Sequence, residues 1–174
     1  HVFSKEEHPF YNRVLLPEYI SEHLNWEALE KLKKNELNKL KIHLYPNASI
    51  EKLDRAAKEI YDDQGNHYAY DLLIGATGSR PFIPREVPLD LEGVFSLRER
   101  DDADALKAYL AASGVPQSSQ HVLIVGGGLL GLELAAALRS IGIQITIVQR
   151  GSRLMIRQLD TIASRLLAED VMER

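Results

Sequence analysis

Glycines at positions 126, 128 and 131 directly follow the run Val122-Leu123-Ile124-Val125 and fit the spacing G-x-G-x-x-G. The run before them, rich in β-branched residues, reads as a buried strand. A helical stretch extends from Leu129 to Ser140 and is ended by Gly142, after which a second β-branched run covers Ile143 to Val148. Strand, glycine turn, helix and strand form the context in which this spacing points to a dinucleotide's pyrophosphate. Gly126 permits the tight turn, Gly128 lets backbone approach a phosphate, and Gly131 lets the helix pack close to the strand. The helix N-terminus adds unpaired N–H groups and a partial positive charge. A glycine turn in another doubly wound sheet, such as that of a methyltransferase, is the competing reading.

The residue that reads the adenine ribose belongs at the end of the second strand, where an acid would bond the 2′-hydroxyl and repel a 2′-phosphate. Gln149 stands there, 23 positions after Gly126, and Arg150 follows it. Glutamine bonds a hydroxyl but carries no charge against phosphate, and Arg150 attracts one unless it is an ordinary surface arginine. The pair admits NADPH without rejecting NADH.

The elements around this unit are those of an ordinary globular chain. Its 174 residues are 45% hydrophobic and 26% charged, with a formal net charge of −4. That length suits one domain or two small ones. The acidic balance and the lack of a basic stripe argue against nucleic acid as a partner. No apolar run reaches membrane-spanning length and no signal peptide is visible, so a cytoplasmic location is expected and a membrane is not. The sequence has no cysteine, which excludes disulfides, thiolate metal sites and redox-active thiols within it. His1 is not an initiator methionine, so a piece of a longer chain, a processed chain or a trimmed one is expected.

Along the chain, His8 to Pro17 is an aromatic, proline-bounded segment. A helix is expected from Asn25, with Trp26, Leu29, Leu32, Leu37 and Leu40 as its stripe. From Lys41 the period changes to two. Short strands are expected at 41–45, 49–53, 57–61 and 67–70, with a turn at 62–66. His43 and His67 have no spaced partners, so no metal site is expected. Tyr70 to Gly75 reads as a buried strand running into Ala76-Thr77-Gly78, small residues that let backbone approach a ligand. Pro81, Pro84 and Pro88 mark a linker over 81–100. Asp101 with Asp104 predicts a capped helix with Leu106, Tyr109 and Leu110 inward. A last helix, near 160–172, carries a stripe of Ile162, Leu166 and Leu167.

Taken in order, the Tyr70–Pro81 stretch, the proline linker and the Gly126–Glu133 turn resemble the pyridine-nucleotide-disulfide oxidoreductase superfamily of FAD- and NAD(P)-binding flavoproteins. Two segments are similar to the NAD(P)H-dependent nitrite reductase large subunits within it. They are Phe10-Tyr11-Asn12-Arg13-Val14-Leu15-Leu16 and Arg153-Leu154-Met155-Ile156-Arg157-Gln158-Leu159-Asp160. The first departs at Pro17, where that subfamily more often has serine.

The resemblance implies an α/β fold of Rossmann-like three-layer units with a small β-meander, an incomplete two-dinucleotide-binding flavoprotein. Residues 1–115 would form part of the FAD-binding domain and residues 116–174 part of the NAD(P)-binding domain. Arg13 would face FAD, Ile50 would offer backbone to the adenine, and Ala76, Thr77, Gly78 and Ser79 would pack near the flavin nucleotide. Gly126, Gly128 and Gly131, with Gly127, Leu129 and Leu130 in the same turn, would hold NAD(P)H. Glu133 would lie near the nicotinamide as the catalytic residue, or be an ordinary carboxylate favoured by the helix dipole.

The superfamily's first G-x-G-x-x-G, for FAD, is absent, so an internal piece of a larger flavoprotein is implied, inactive alone and with sheet edges open to a partner chain, a second copy included. The implied reaction is hydride transfer from NAD(P)H to FAD, then electron passage to an acceptor module or carrier protein. That acceptor is nitrite through a downstream sirohaem module in the first reading and a rubredoxin or ferredoxin in the second. A non-catalytic nucleotide-binding module is the alternative from another class.

Overall fold

The computed structural model describes residues 1–173. In chain order the strand β1 (Val2–Phe3) precedes three helical pieces, α1 (Leu16–Ile20), α2 (Trp26–Leu29) and α3 (Lys34–Lys39). Strands β2 (Leu44–Tyr45), β3 (Ile50–Asp54), β4 (Glu59–Asp62) and β5 (His67–Ala69) come next. The C-terminal part runs α4 (Arg100–Ala112), β6 (His121–Val125), α5 (Leu129–Ser140), β7 (Gln144–Val148) and α6 (Thr161–Glu173). The architecture is mixed α/β, as expected, with parallel and antiparallel strand pairs.

Two compact units divide the chain. The first comprises His1–Arg13 and Trp26–Val87, and the second Val14–Asn25 with the chain from Pro88 onward. The change of unit at Val87–Pro88 falls in the proline-rich linker. Residues 14–25 and 88–115 belong to the second unit.

In the first unit β3, β4 and β5 form an antiparallel meander, and β1 pairs with β2 in parallel. The β4–β5 turn is built around Asp62, whose Oδ1 accepts the backbone N–H groups of Gln64 at 3.0 Å and Asn66 at 2.8 Å. Its Oδ2 accepts Asn66 Nδ2 at 2.9 Å and the Tyr68 hydroxyl at 3.2 Å. Asp62 is buried, and these donors, the Asn66 amide first among them, hold its carboxyl below the usual aspartate range against the cost of desolvation. Phe3 stacks on Tyr45 and packs tilted against Tyr68.

Two expectations fail in this unit. The helix from Asn25 is not continuous, because the backbone after α2 turns away to pair with the N-terminal segment. Asn12 N–H donates to Leu29 O at 2.8 Å and Lys31 N–H donates to Phe10 O at 2.7 Å. Leu29 is fully buried by that docking, while Leu40, at the far end of the expected stripe, is exposed. The expected strand at 70–75 is also irregular, with Leu72 at 81% and Ile74 at 78% exposure. An apolar run becomes a strand only when a neighbour receives its N–H and C=O groups, and no ladder among the described residues includes this one.

In the second unit α1 packs on both α4 and α5, and α5 lies against β6 and β7. Leu16, Ile20, Ala103, Leu106, Leu138 and Ile143 form the core. Each buried Leu or Ile contributes about 1.5–3 kcal/mol. The Tyr19 hydroxyl donates to Asp104 Oδ1 at 2.6 Å, tying α1 to α4. Burial first, and then the Asp104 carboxylate, push the Tyr19 phenol above the ordinary tyrosine range. Asp104 is therefore occupied at the helix side. The helix start is capped instead by Asp102 Oδ2, which accepts the N–H groups of Arg98 at 2.7 Å and Glu99 at 2.9 Å.

Strand β6 is buried on one face only, with Ile124 covered while Leu123 and Val125 are exposed. Helix α6 also corrects the sequence reading. Ile162 and Leu166 point to solvent, and the covered position is Ser164. Among the described residues no helix is long and apolar enough to cross a membrane.

Candidate functional site

The glycine turn joins β6 to α5. Strands β6 and β7 pair in parallel from His121↔Gln144 to Val125↔Val148, and the ladder continues as Gly126 N–H donates to Val148 O at 2.8 Å. A parallel pair needs a crossover, and α5 supplies it. Gly126 has φ +128°, a conformation that L side chains rarely adopt. Gly131 packs so that a Cβ there would be driven into the Gly126 carbonyl oxygen and would lie 3.4 Å from Ile124 Cγ2. Helix α5 therefore starts against the strand, with Gly128 as its N-cap and Leu132 N–H donating to Gly128 O at 3.0 Å. Nothing lies within 4 Å of where a Gly128 Cβ would sit, so the turn has open space on that side. The first helical N–H groups, those of Leu129 and Leu130 among them, lack intrahelical acceptors by geometry.

Gln149 and the turn are in direct contact: Gly127 N–H donates to Gln149 Oε1 at 2.8 Å. Because the backbone group is a donor, the amide must present its oxygen to it, leaving Nε2 as the free end of the side chain. Arg150, the next residue, is exposed. Glu133 lies two residues beyond Gly131 on α5, half-buried, and its Oε2 is buried without a hydrogen-bond partner. A buried carboxylate oxygen in that condition is costly unless a donor reaches it.

The residues expected at FAD are placed on three segments of the first unit. Arg13 forms an ion pair with Glu6, which also accepts the Tyr11 hydroxyl at 2.6 Å, and its guanidinium lies 5.4 Å from the Tyr11 ring centroid. Ile50 opens β3 opposite Asp62. Ala76, Thr77, Gly78 and Ser79 are irregular and exposed, with Gly78 at φ +67°.

Three residues that the sequence reading left without a role touch the glycine turn or what holds it. A Cβ on Gly127 would overlap Leu154 Cδ2, and Met155 N–H donates to Gly127 O at 2.9 Å. Ser164 Oγ donates to Leu154 O at 2.7 Å. Leu154 and Met155 fall in the Arg153–Asp160 run that the family resemblance picks out, and nothing in the α6 sequence marks Ser164 as the covered position.

The family model described as pyridine nucleotide-disulphide oxidoreductase matches residues 1–174. The chain belongs to that family. The nitrite reductase [NAD(P)H] of Bacillus subtilis (strain 168) is 35% identical over 170 residues, which are 98% of this chain and 20% of that protein. The nitrite reductase [NAD(P)H] large subunit of Klebsiella oxytoca is 34% identical over 172 residues, 99% of this chain and 17% of its own. The chain thus spans about a fifth of the length of these relatives. Among solved structures, the covalent putidaredoxin reductase–putidaredoxin complex superposes with a TM-score of 0.89 at 19% identity, covering 98% of this chain and 40% of that one. The last likeness is one of fold. Membership supports use of FAD and NAD(P)H, and the disulphide of the family's name has no counterpart in this cysteine-free stretch.

Proposed function

We propose that this family member binds NAD(P)H at the Gly126–Gly131 turn, and that the protein carrying this segment passes hydride to FAD and electrons on to nitrite through a downstream sirohaem module. The observation that carries the reading is the turn itself. An α5 start is pressed onto β6 at Gly131, space is open at Gly128, and the segment is 34–35% identical to two nitrite reductases across nearly its whole length.

The turn's backbone binds and orients the pyrophosphate, and the α5 N-terminus supplies the favourable partial charge. Glu133 takes a donor at its orphaned oxygen, which in this reading belongs to the nicotinamide end of the ligand and makes it the catalytic residue. Gln149 Nε2 and Arg150 face the ribose with donors only, which suits a 2′-phosphate. On the flavin side Ala76, Thr77, Gly78 and Ser79 offer accessible backbone and Ile50 lies beside the meander turn. Arg13 reaches a flavin only when its pair with Glu6 opens. When bound, FAD supplies the step from two-electron hydride chemistry to single-electron delivery.

The test is calorimetric titration of the chain with NADH and NADPH, beside the visible spectrum after excess FAD and desalting. Binding of both nucleotides, NADPH more tightly, is expected. Titration without heat or saturation for either nucleotide rejects the reading. Nitrite consumption by the longest polypeptide carrying this segment tests the acceptor, and reduction of a rubredoxin or ferredoxin in its place assigns the electrons to a carrier protein.

A further inference from the structure

The middle glycine of the turn is gripped from three sides. Its N–H donates to Gln149 Oε1 at 2.8 Å, its carbonyl accepts Met155 N–H at 2.9 Å, and its Cα face is covered so closely by Leu154 Cδ2 that a Cβ there would have to displace that methyl group. Two of these contacts come from the loop 153–159. That loop is itself closed by Arg153, whose Nη1 donates to Leu159 O at 2.8 Å, and by Gln158 and Leu159, whose N–H groups both donate to Met155 O at 2.9 Å. Met155 sits at φ +51°, in the left-handed region, so the N–H it donates to Gly127 is held at some conformational cost.

The loop is anchored behind by α6. Ser164 is 1% exposed while Ile162 and Leu166 on the same helix face solvent. A hydroxyl occupies the covered position because it has work there: Ser164 Oγ donates to the Leu154 carbonyl at 2.7 Å. A chain of contacts therefore runs from α6 through Ser164 to Leu154 and on to Gly127.

We propose that the loop 153–159 and Ser164 form a brace that fixes the glycine turn in its nucleotide-binding shape, with Leu154 and Ser164 as positioning residues for the dinucleotide. This rests on the nucleotide-binding reading above. A pyrophosphate is bound by several backbone N–H groups at once, so the affinity depends on all of them pointing correctly before the ligand arrives. Gly127 sits between the two glycines that shape the turn, and a rotation of its peptide would turn the following N–H groups away. Neither Leu154 nor Ser164 needs to touch the ligand.

The test joins amide exchange to calorimetry. Ser164→Ala removes one hydroxyl, and Leu154→Ala removes the contact on Gly127. Each is expected to speed exchange at the Gly127 and Met155 amides by about tenfold or more while the β6 amides keep their rates. Each is also expected to weaken NADPH and ADP-ribose alike by about tenfold. Gly127→Ala alone should lose affinity by overlap with Leu154, and Gly127→Ala combined with Leu154→Ala should regain much of it, because the new methyl group fills the vacated space. Additive losses in that pair, unchanged exchange in Ser164→Ala, or a lowered Tm with unaltered affinity each overturn the brace. If the unmodified chain binds no nucleotide, the functional reading fails, and the positioning role with it. The exchange rates then still decide whether the contacts hold the turn.

Discussion

Gly131 and Gly126 are in contact across the start of α5, the Cα of the first facing the carbonyl oxygen of the second so closely that no side chain fits between them. The obstacle is backbone, which cannot swing aside as a side-chain end can. Gly131→Ala must therefore push α5 away from β6, and overpacking of this kind costs about 1–3 kcal/mol, occasionally more. Urea denaturation of the variant should show a lowered midpoint, and nucleotide affinity should fall in the fraction that stays folded.

Gln149 has one duty in the structure, accepting the Gly127 N–H, and a second, at the ribose, in the function proposed above. Gln149→Leu leaves the Gly127 N–H without its acceptor, which costs about 1–3 kcal/mol where water does not replace it. Gln149→Glu keeps an acceptor for that N–H and adds a charge beside the ribose. Binding of NADPH should then drop about tenfold against NADH, as titration of both nucleotides would read. Equal losses for the two would mean that Gln149 does not face the 2′ position.

Asp62 predicts an acid limb. Its carboxyl is held below the ordinary range by the Asn66 amide and its fellow donors. The folded state gains from this at every pH above the unfolded aspartate value, about 3.9, and loses it as pH falls through the lower folded value. Asp62→Asn should be less stable than the parent at neutral pH, and the gap in urea midpoints should narrow as the pH falls below the unfolded aspartate value and through the lower folded one.

Tyr19 predicts an alkaline limb of opposite sign. Its phenol is raised, chiefly by burial and then by Asp104. Its contribution is complete below the unfolded tyrosine value, about 10, and is lost as pH rises through the higher folded one. Tyr19→Phe should cost about 1 kcal/mol at neutral pH, and its stability should fall less steeply than the parent's on the alkaline side.

The nucleotide unit was legible because its information is local. The spacing of Gly126, Gly128 and Gly131 encodes a turn, and the flanking β-branched runs encode the strands, so β6, α5 and β7 fall within a residue of expectation. What escaped was set by partners distant in sequence. The helix from Asn25 breaks where Phe10 and Asn12 take over its hydrogen bonds, which no periodicity in 25–40 reports. Arg13 is claimed by Glu6 through loop geometry. On α6 the apolar period pointed to Ile162 and Leu166, whereas the packing selects Ser164, a polar residue whose value lies in one hydrogen bond to Leu154. The flavin roles proposed for Arg13, Ile50 and residues 76–79 come from family resemblance alone, and their geometry does not suggest them.

The parallel pairing of β6 with β7 also governs the order in which this region acquires structure. His121 and Gln144 face each other across the ladder, so the two strands cannot zip from a hairpin as β4 and β5 can. The chain between them must first be shortened by winding into α5, which lessens the entropy lost in closing the loop. The winding of α5 begins at Gly128. The turn is consequently shaped in the same event that lets the strands meet, and refolding monitored by pulsed amide exchange should protect α5 before β6 and β7, with Gly126 gaining protection together with the strands.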